Sequence, residues 1–89
     1  MRIVYERKAL KVLARMEKTL AVNIREAIQG LTETPPKGDV KPLFGYRDGR
    51  KRLRCGKYRI IFRYDEKGQG VTILLIMNIG SRGDIYKEG

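Results

Sequence analysis

The sequence has no histidine and no tryptophan, and it has a single cysteine. Without histidine, acid–base catalysis by a pair of imidazole groups is excluded. Cys55 cannot form an internal disulfide, which suits a reducing cytoplasm. Because no histidine can activate its thiol, we interpret Cys55 as a small strand residue and not as a nucleophile.

Long apolar runs are absent as well. The longest, VTILLIM at residues 71–77, is far short of the ~20 residues that cross a bilayer, and it suits a buried strand. Residues 1–10 lack the apolar segment of a secretory signal. We therefore expect one globular domain over residues 1–89, located in the cytoplasm and not attached to a membrane.

The carboxylates that follow the predicted helices are dispersed. They fall in predicted turns and in the tail, at Asp39, Asp48, Asp65, Glu66, Asp84 and Glu88. This pattern does not supply the carboxylate cluster that would hold two metal ions. We expect no metal and no small-molecule cofactor.

The most prominent feature of the composition is its positive charge. The formal net charge is +10, from 20 basic and 10 acidic residues. Residues 46–63 contain eight basic residues and one acid, Asp48, so this segment alone carries eight minus one, or +7. Clustered basic residues are typical of nucleic-acid binding. Anionic membranes and acidic proteins attract such a segment too, so charge alone does not choose among these partners.

Hydrophobic spacing predicts an α+β domain in the order β-α-α-β-β-β. We expect a short strand at residues 2–5, a helix at 6–18 and a second helix, capped by Thr19, that ends near Thr34 before TPPKG. Residues 35–49 form a long connection. Three strands follow, at 50–54, 58–64 and 71–78. The helix hairpin should pack on one face of a small, twisted, largely antiparallel sheet, with the last strand in its interior.

Arginines alternate along the first two of these C-terminal strands. Side chains of a strand point alternately to its two faces, so the second strand turns Tyr58, Ile60, Phe62 and Tyr64 toward the helices. The opposite side then gathers five guanidinium groups, which we call the arginine face: Arg50, Arg52, Arg54, Arg59 and Arg63.

The crowding of charge on the arginine face favours an anionic ligand. Neighbouring strands lie about 4.8 Å apart, so these guanidinium groups repel one another unless an anion lies among them. The planar fork of arginine also suits bidentate contact with phosphate. The alternative is a solvated sheet face with incidental charge, which lysine and glutamate would serve without crowding.

The block LFGYRDGRKRLRCGKYRIIFRYDE, followed by VTILLIMNIGSRGDIY, resembles the RelE/ParE toxin superfamily and more specifically its RelE-like mRNA interferases. The resemblance covers nearly the whole chain. It implies the toxin of a type II toxin–antitoxin system, a ribosome-dependent and metal-independent endoribonuclease that cleaves mRNA by attack of the 2′-hydroxyl. It also implies a cognate antitoxin, RelB-like or similar, with the ribosome and mRNA as further partners.

The resemblance implies a catalytic set. Arg50 and Arg52 match a basic pair before the turn, and Arg59 matches an arginine that stabilises the phosphate. Arg82 matches a second phosphate contact, and Tyr86 matches a tyrosine that stacks on or orients the attacked nucleotide. The surrounding basic residues are expected to bind RNA: Arg47, Lys51, Arg54, Lys57 and Arg63.

The general base stays unassigned at this point. The best-known members of the superfamily have lysines where this chain has Arg50 and Arg52, and arginine rarely gives up its proton. Lys51 is the nearest lysine, but strand alternation turns it away from the arginine face.

Two other functions remain open. A ParE-like or degenerate relative would inhibit a protein target such as gyrase without cutting RNA, and a basic RNA-binding protein would only bind. The gyrase-directed branch generally lacks the catalytic set, whereas Arg59, Arg82 and Tyr86 are present here. Taken alone, Arg82 and Tyr86 could equally be a surface charge and a tail anchor.

Overall fold

The computed structural model describes residues 1–81, which form two helices and a five-stranded sheet. The elements follow one another along the chain as β1 Arg2–Tyr5, α1 Arg7–Arg15, α2 Lys18–Gly30, β2 Asp39–Pro42, β3 Lys51–Cys55, β4 Tyr58–Glu66 and β5 Thr72–Gly80. The predicted α+β class is confirmed, with one strand more than expected.

The sheet has the order β1-β5-β4-β3-β2. The pairs β2–β3, β3–β4 and β4–β5 are antiparallel, and β1 pairs with β5 in parallel. The apolar strand β5 therefore lies inside the sheet, between β1 and β4, as its composition predicts. A register shift at Ile61/Phe62 places Phe62 opposite Ile76 and Ile61 opposite Asn78.

Both helices contribute to one core on a single face of the sheet. Ala9 and Leu13 of α1 and Ile24 and Ile28 of α2 are buried at helical spacing. They pack with inward-facing residues of the strands: Leu53, Ile60, Phe62, Leu74, Ile76 and Ile79. At the edge of this core the Tyr64 hydroxyl donates a 2.6 Å hydrogen bond to the Leu31 carbonyl, which ties the end of α2 to β4.

The helix boundaries differ from the prediction. The first helix stops at Arg15 because Met16 is extended, with φ −76° and ψ 154°. Glu17, not Thr19, is the N-cap of α2, and it makes no side-chain capping hydrogen bond. Helix α2 ends at Gly30, earlier than the predicted Thr34, and residues 31–35 form turns and bends. No helix within residues 1–81 has the length and apolar character needed to cross a bilayer.

The prediction of a connection without a strand over residues 35–49 was wrong. Asp39–Pro42 forms the edge strand β2, which is antiparallel to β3. A single apolar side chain, Val40, packs against the core, so the alternation that identifies a strand is too short to be recognised in the sequence. Gly38 immediately precedes the strand and has a φ of 107°, a backbone conformation that favours glycine.

Candidate nucleic-acid interface

The registers of β3 and β4 assemble the arginine face. Arg54 lies directly opposite Arg59, and Arg52 lies opposite Ile61. The intervening pair, Leu53 and Ile60, is buried in the core with the helices. Because residues opposite each other in neighbouring strands share a face, the predicted alternation of arginines is confirmed for these strands.

Arg50 is held in the loop that precedes β3. Its guanidinium donates to both carboxylate oxygens of Asp48, from Nε to Oδ1 at 3.1 Å and from Nη2 to Oδ2 at 2.8 Å. It also lies over the Tyr46 ring, 4.1 Å from the centroid. The side chains of Arg50 and Asp48 are 18% and 30% exposed. This paired arrangement fixes Arg50 and neutralises its charge locally.

The contact between Arg50 and Asp48 shifts the pKa values of both side chains. The hydrogen bond from the Arg50 guanidinium holds the pKa of the Asp48 carboxyl below its usual range, against a smaller opposing effect of burial. The same hydrogen bond raises the pKa of Arg50. At neutral pH both groups are therefore ionised.

The Asp48 carboxylate also lies near a second arginine, Arg63. Its Oδ2 lies 3.9 Å from Arg63 Nε, which is too long for a hydrogen bond. Arg63 Nε is buried and has no hydrogen-bond partner within residues 1–81. One carboxylate thus stands between two guanidinium groups of the arginine face.

Arg52 is held by the edge strand. Its Nη1 donates to the Asp39 carbonyl at 3.0 Å and lies 3.5 Å from Asp39 Oδ1. The Arg52 side chain is only 13% exposed. Arg52 therefore ties β2 to β3, and little of its guanidinium is left for an external ligand.

Arg54 and Arg59 are the members of the arginine face that keep their charge unpaired. In the described part of the chain neither side chain makes a hydrogen bond or an ion pair. Arg54 is exposed and Arg59 is partly exposed. Two unpaired guanidinium groups directly across a strand pair attract an anion that can bridge them.

The other predicted RNA-binding residues are spread around the sheet. Lys51 lies opposite Phe62, on the helix side, with its amine 5.6 Å from the centre of the Tyr64 ring. Lys57 is in the turn between β3 and β4, and Arg47 is exposed in the loop before β3. Lys51 therefore lies off the arginine face, and neither Lys57 nor Arg47 is on a strand of the sheet. Arg82 and Tyr86 lie outside the described residues.

Three residues of this surface were not predicted from the sequence: Asp39, Asp48 and Lys41. The sequence predicts Asp39 and Asp48 to be dispersed acids in turns, yet the structure places their carboxylates within 4 Å of three of the five arginines, Arg50, Arg52 and Arg63. The spacing of Asp48 and Arg50 about Gly49 is a usable signal, because an aspartate commonly accepts a hydrogen bond from the backbone two residues later, as Asp48 does here at 3.2 Å. Lys41 was missed because the strand that carries it was not predicted.

Other possible sites are less developed. A groove of about 390 Å³ separates α2 from β3 and is lined in part by Gly30, Leu53, Arg54 and Cys55. Cys55 is a free thiol. Within residues 1–81 no group of three or more acidic, cysteine or histidine side chains could hold a metal ion.

Comparison with known proteins defines the class. Residues 3–86 match the family model for the ParE toxin of type II toxin–antitoxin system, parDE. The chain therefore belongs to this family, and it is a toxin of the RelE/ParE superfamily. A search of curated protein sequences found no match.

Solved structures of such toxins share the fold. The YoeB/ParE toxin from Agrobacterium tumefaciens has a TM-score of 0.76 at 19% identity, covering 92% of this chain and 99% of that one. The RelBE2 toxin–antitoxin complex from Mycobacterium tuberculosis gives 0.69 at 23% identity, covering 91% and 96%. The isolated E. coli RelE toxin gives 0.66 at 20% identity, covering 98% and 92%. The predicted RelE-like fold is confirmed.

Proposed function

We propose that this toxin is a ribosome-dependent, metal-independent endoribonuclease that cleaves mRNA. The observation that carries the proposal is the unpaired Arg54–Arg59 pair on a sheet face whose other arginines are held by Asp39 and Asp48. A phosphodiester is the anion that this pair suits best, because each guanidinium can donate two parallel hydrogen bonds to phosphate oxygens.

Arg59 has the central role in the proposed reaction. Attack of a 2′-hydroxyl on the adjacent phosphorus adds negative charge to the phosphate oxygens, and a guanidinium already in position stabilises that charge without reorganisation. The resemblance adds Arg82 as a second phosphate contact and Tyr86 as the residue that stacks on or orients the nucleotide. Arg50 and Arg52 then position the loop and the edge strand, since their guanidinium groups are engaged with Asp48 and Asp39.

In the proposed reaction the ribosome aligns the RNA, which the protein does not do by itself. The arginine face offers charge but no histidine, so the chemistry depends on accurate alignment of the 2′-hydroxyl with the scissile bond. An mRNA held in the A site is aligned in this way, and naked RNA is not. We therefore propose that cleavage requires a programmed ribosome and survives EDTA.

An antitoxin is the proposed partner that restrains the toxin. The net charge of +10 suits an acidic, RelB-like chain, whose binding should weaken as the salt concentration rises. We propose the cytoplasm as the site of action, because that is where ribosomes and mRNA meet.

Cleavage of mRNA on programmed ribosomes tests the proposal, with EDTA present and absent. Arg59→Ala should lower the rate by about 10²- to 10⁴-fold, as expected for a group that stabilises the transition state or transfers a proton. Its partly exposed side chain lies off the core, so the free energy of unfolding should change by about 0.5 kcal/mol. Arg15→Ala, which removes the same charge from α1 on the opposite layer, should cleave like the wild type. A folded Arg59→Ala protein with full activity would remove Arg59 from the mechanism.

Gyrase inhibition is the second candidate, and the match to the ParE toxin family favours it. In this case the arginine face would bind a protein target and no RNA would be cut. A supercoiling assay with purified gyrase separates the two functions. Inhibition of gyrase together with intact mRNA on programmed ribosomes would replace the proposed function by this one.

A further inference from the structure

We infer that Lys41 is the general base of the proposed cleavage reaction. The inference rests on the proposed function and names the residue that accepts the proton of the attacking 2′-hydroxyl. The arginine face offers no such base, because a guanidinium has no lone pair free to take a proton and stays charged at any physiological pH.

The register of the edge strand places Lys41 beside the arginine face. Lys41 lies directly opposite Arg52, and its neighbour Val40 packs into the core opposite Leu53. Alternation along β2 therefore turns Lys41 to the side of the sheet away from the helices. Lys41 is exposed, and its side chain makes no hydrogen bond or ion pair within residues 1–81.

The other candidate bases are occupied or point elsewhere. Lys51, the other lysine on the described strands, lies on the helix side near Tyr64. The Asp48 carboxylate accepts hydrogen bonds at both oxygens from Arg50. Asp39 contacts the Arg52 guanidinium through its carboxylate at 3.5 Å. Of these four residues, only Lys41 combines an unpaired side-chain nitrogen with a position on the side of the sheet that carries the arginine face.

Lys41 and Arg59 can reach one phosphodiester together. They are two strands apart, about 10 Å, and two residues apart along the strand direction, about 7 Å. Both side chains are long, so their ends can converge over Arg52 and Arg54, which lie between them. A nucleotide placed there would have its phosphate near Arg54 and Arg59 and its ribose toward Lys41.

The proposed step balances without a further reactant. The Lys41 ammonium first releases a proton to solvent, and the amine then takes the 2′-hydroxyl proton while the 2′-oxygen bonds to phosphorus. The bond from phosphorus to the 5′-oxygen breaks, and that oxygen takes a proton from water. The products are a 2′,3′-cyclic phosphate and a 5′-hydroxyl end, and the Lys41 ammonium returns its proton to solvent.

Single-turnover cleavage on programmed ribosomes, with saturating toxin, tests the assignment. Lys41→Arg keeps the positive charge but removes the base, so it should bind ribosomes with wild-type affinity and cleave about 10²- to 10⁴-fold more slowly. Lys41→Ala should also be slow, and added ethylamine should partly restore its rate. Lys11→Ala, which removes a lysine from α1, is the matched control and should cleave normally, and thermal melts check that each variant is folded.

The outcomes separate this inference from the proposed function. Normal cleavage by folded Lys41→Arg would overturn the assignment while leaving the endoribonuclease intact. A slow Lys41→Arg variant whose ribosome binding is weakened in proportion would also overturn it, because Lys41 would then be a binding residue. If the wild-type protein itself does not cleave, both the proposed function and this inference fail.

Discussion

Asp48→Asn should make the toxin less stable and at the same time increase its affinity for RNA. The carboxylate of Asp48 neutralises Arg50 through two hydrogen bonds and lies 3.9 Å from Arg63. An amide in its place has no charge, so two guanidinium groups lose their counter-ion. The positive charge of the arginine face then rises by one.

The size of the stability loss follows from the geometry. The Asp48–Arg50 contact is bidentate, and its side chains are only 30% and 18% exposed. Hydrogen bonds to charged groups in such a setting contribute about 1–2 kcal/mol, more than a solvated surface pair. For a domain of this size each kcal/mol shifts the melting temperature by about 4–8 °C.

The effect should depend on pH in one direction. Because the pKa of Asp48 is lowered in the folded state, its stabilisation is complete above the ordinary value of 3.8 and is lost as the pH falls through the folded-state pKa. The difference in unfolding free energy between wild type and Asp48→Asn should therefore be largest at neutral pH. It should shrink at pH values below about 4.

Urea unfolding and RNA binding as a function of salt provide the measurements. The slope of log affinity against log salt should steepen by about 0.7 if the freed charge gains one phosphate contact on single-stranded RNA. Glu33→Gln is the control, since it makes the same change in net charge at the exposed Glu33–Lys37 pair. Unchanged stability, or weaker RNA binding by Asp48→Asn, would refute the counter-ion role.

Three further substitutions test the packing behind the site. Gly38→Ala should destabilise the fold by about 2–4 kcal/mol in urea unfolding, because a Cβ would meet Leu53 Cδ1 at 2.7 Å at a φ of 107°. Gly56→Ala, at φ 60° with open space around it, should cost about 1 kcal/mol, and equal losses for the two would contradict the steric argument. Tyr64→Phe should cost about 1 kcal/mol by removing the hydrogen bond to the Leu31 carbonyl, and no change in its melting temperature would show that water replaces the hydroxyl.

The elements with strong periodicity were predictable from the sequence. The apolar alternation of β4 and the continuous apolar run of β5 identify both strands, and the aromatic side of β4 correctly indicates where the helices pack. Strand β2 was not predictable in the same way. Its sequence DVKP offers one inward side chain, and the strand exists because it pairs with β3.

The position of the candidate site could be predicted from the sequence, but which of its arginines are paired with a carboxylate could not. Alternation placed the arginines on one face, and the registers confirm this for β3 and β4. The pairing of Arg50 with Asp48 and of Arg52 with Asp39 depends on how the loops fold, which local pattern does not encode. These contacts change which arginines are free to bind an anion.

The parallel pairing of β1 with β5 has a consequence for how the toxin is made. The strand synthesised first has its partner in the strand completed last among the described residues, and β5 also pairs with β4. Until β5 leaves the ribosomal exit tunnel, both β1 and β4 keep an unpaired edge, and the core lacks Leu74, Ile76 and Ile79. Contacts between distant parts of a chain also form slowly. A chain that has not yet made β5 therefore lacks part of the core against which β3 and β4 pack, and with it the packing that supports the arginine face.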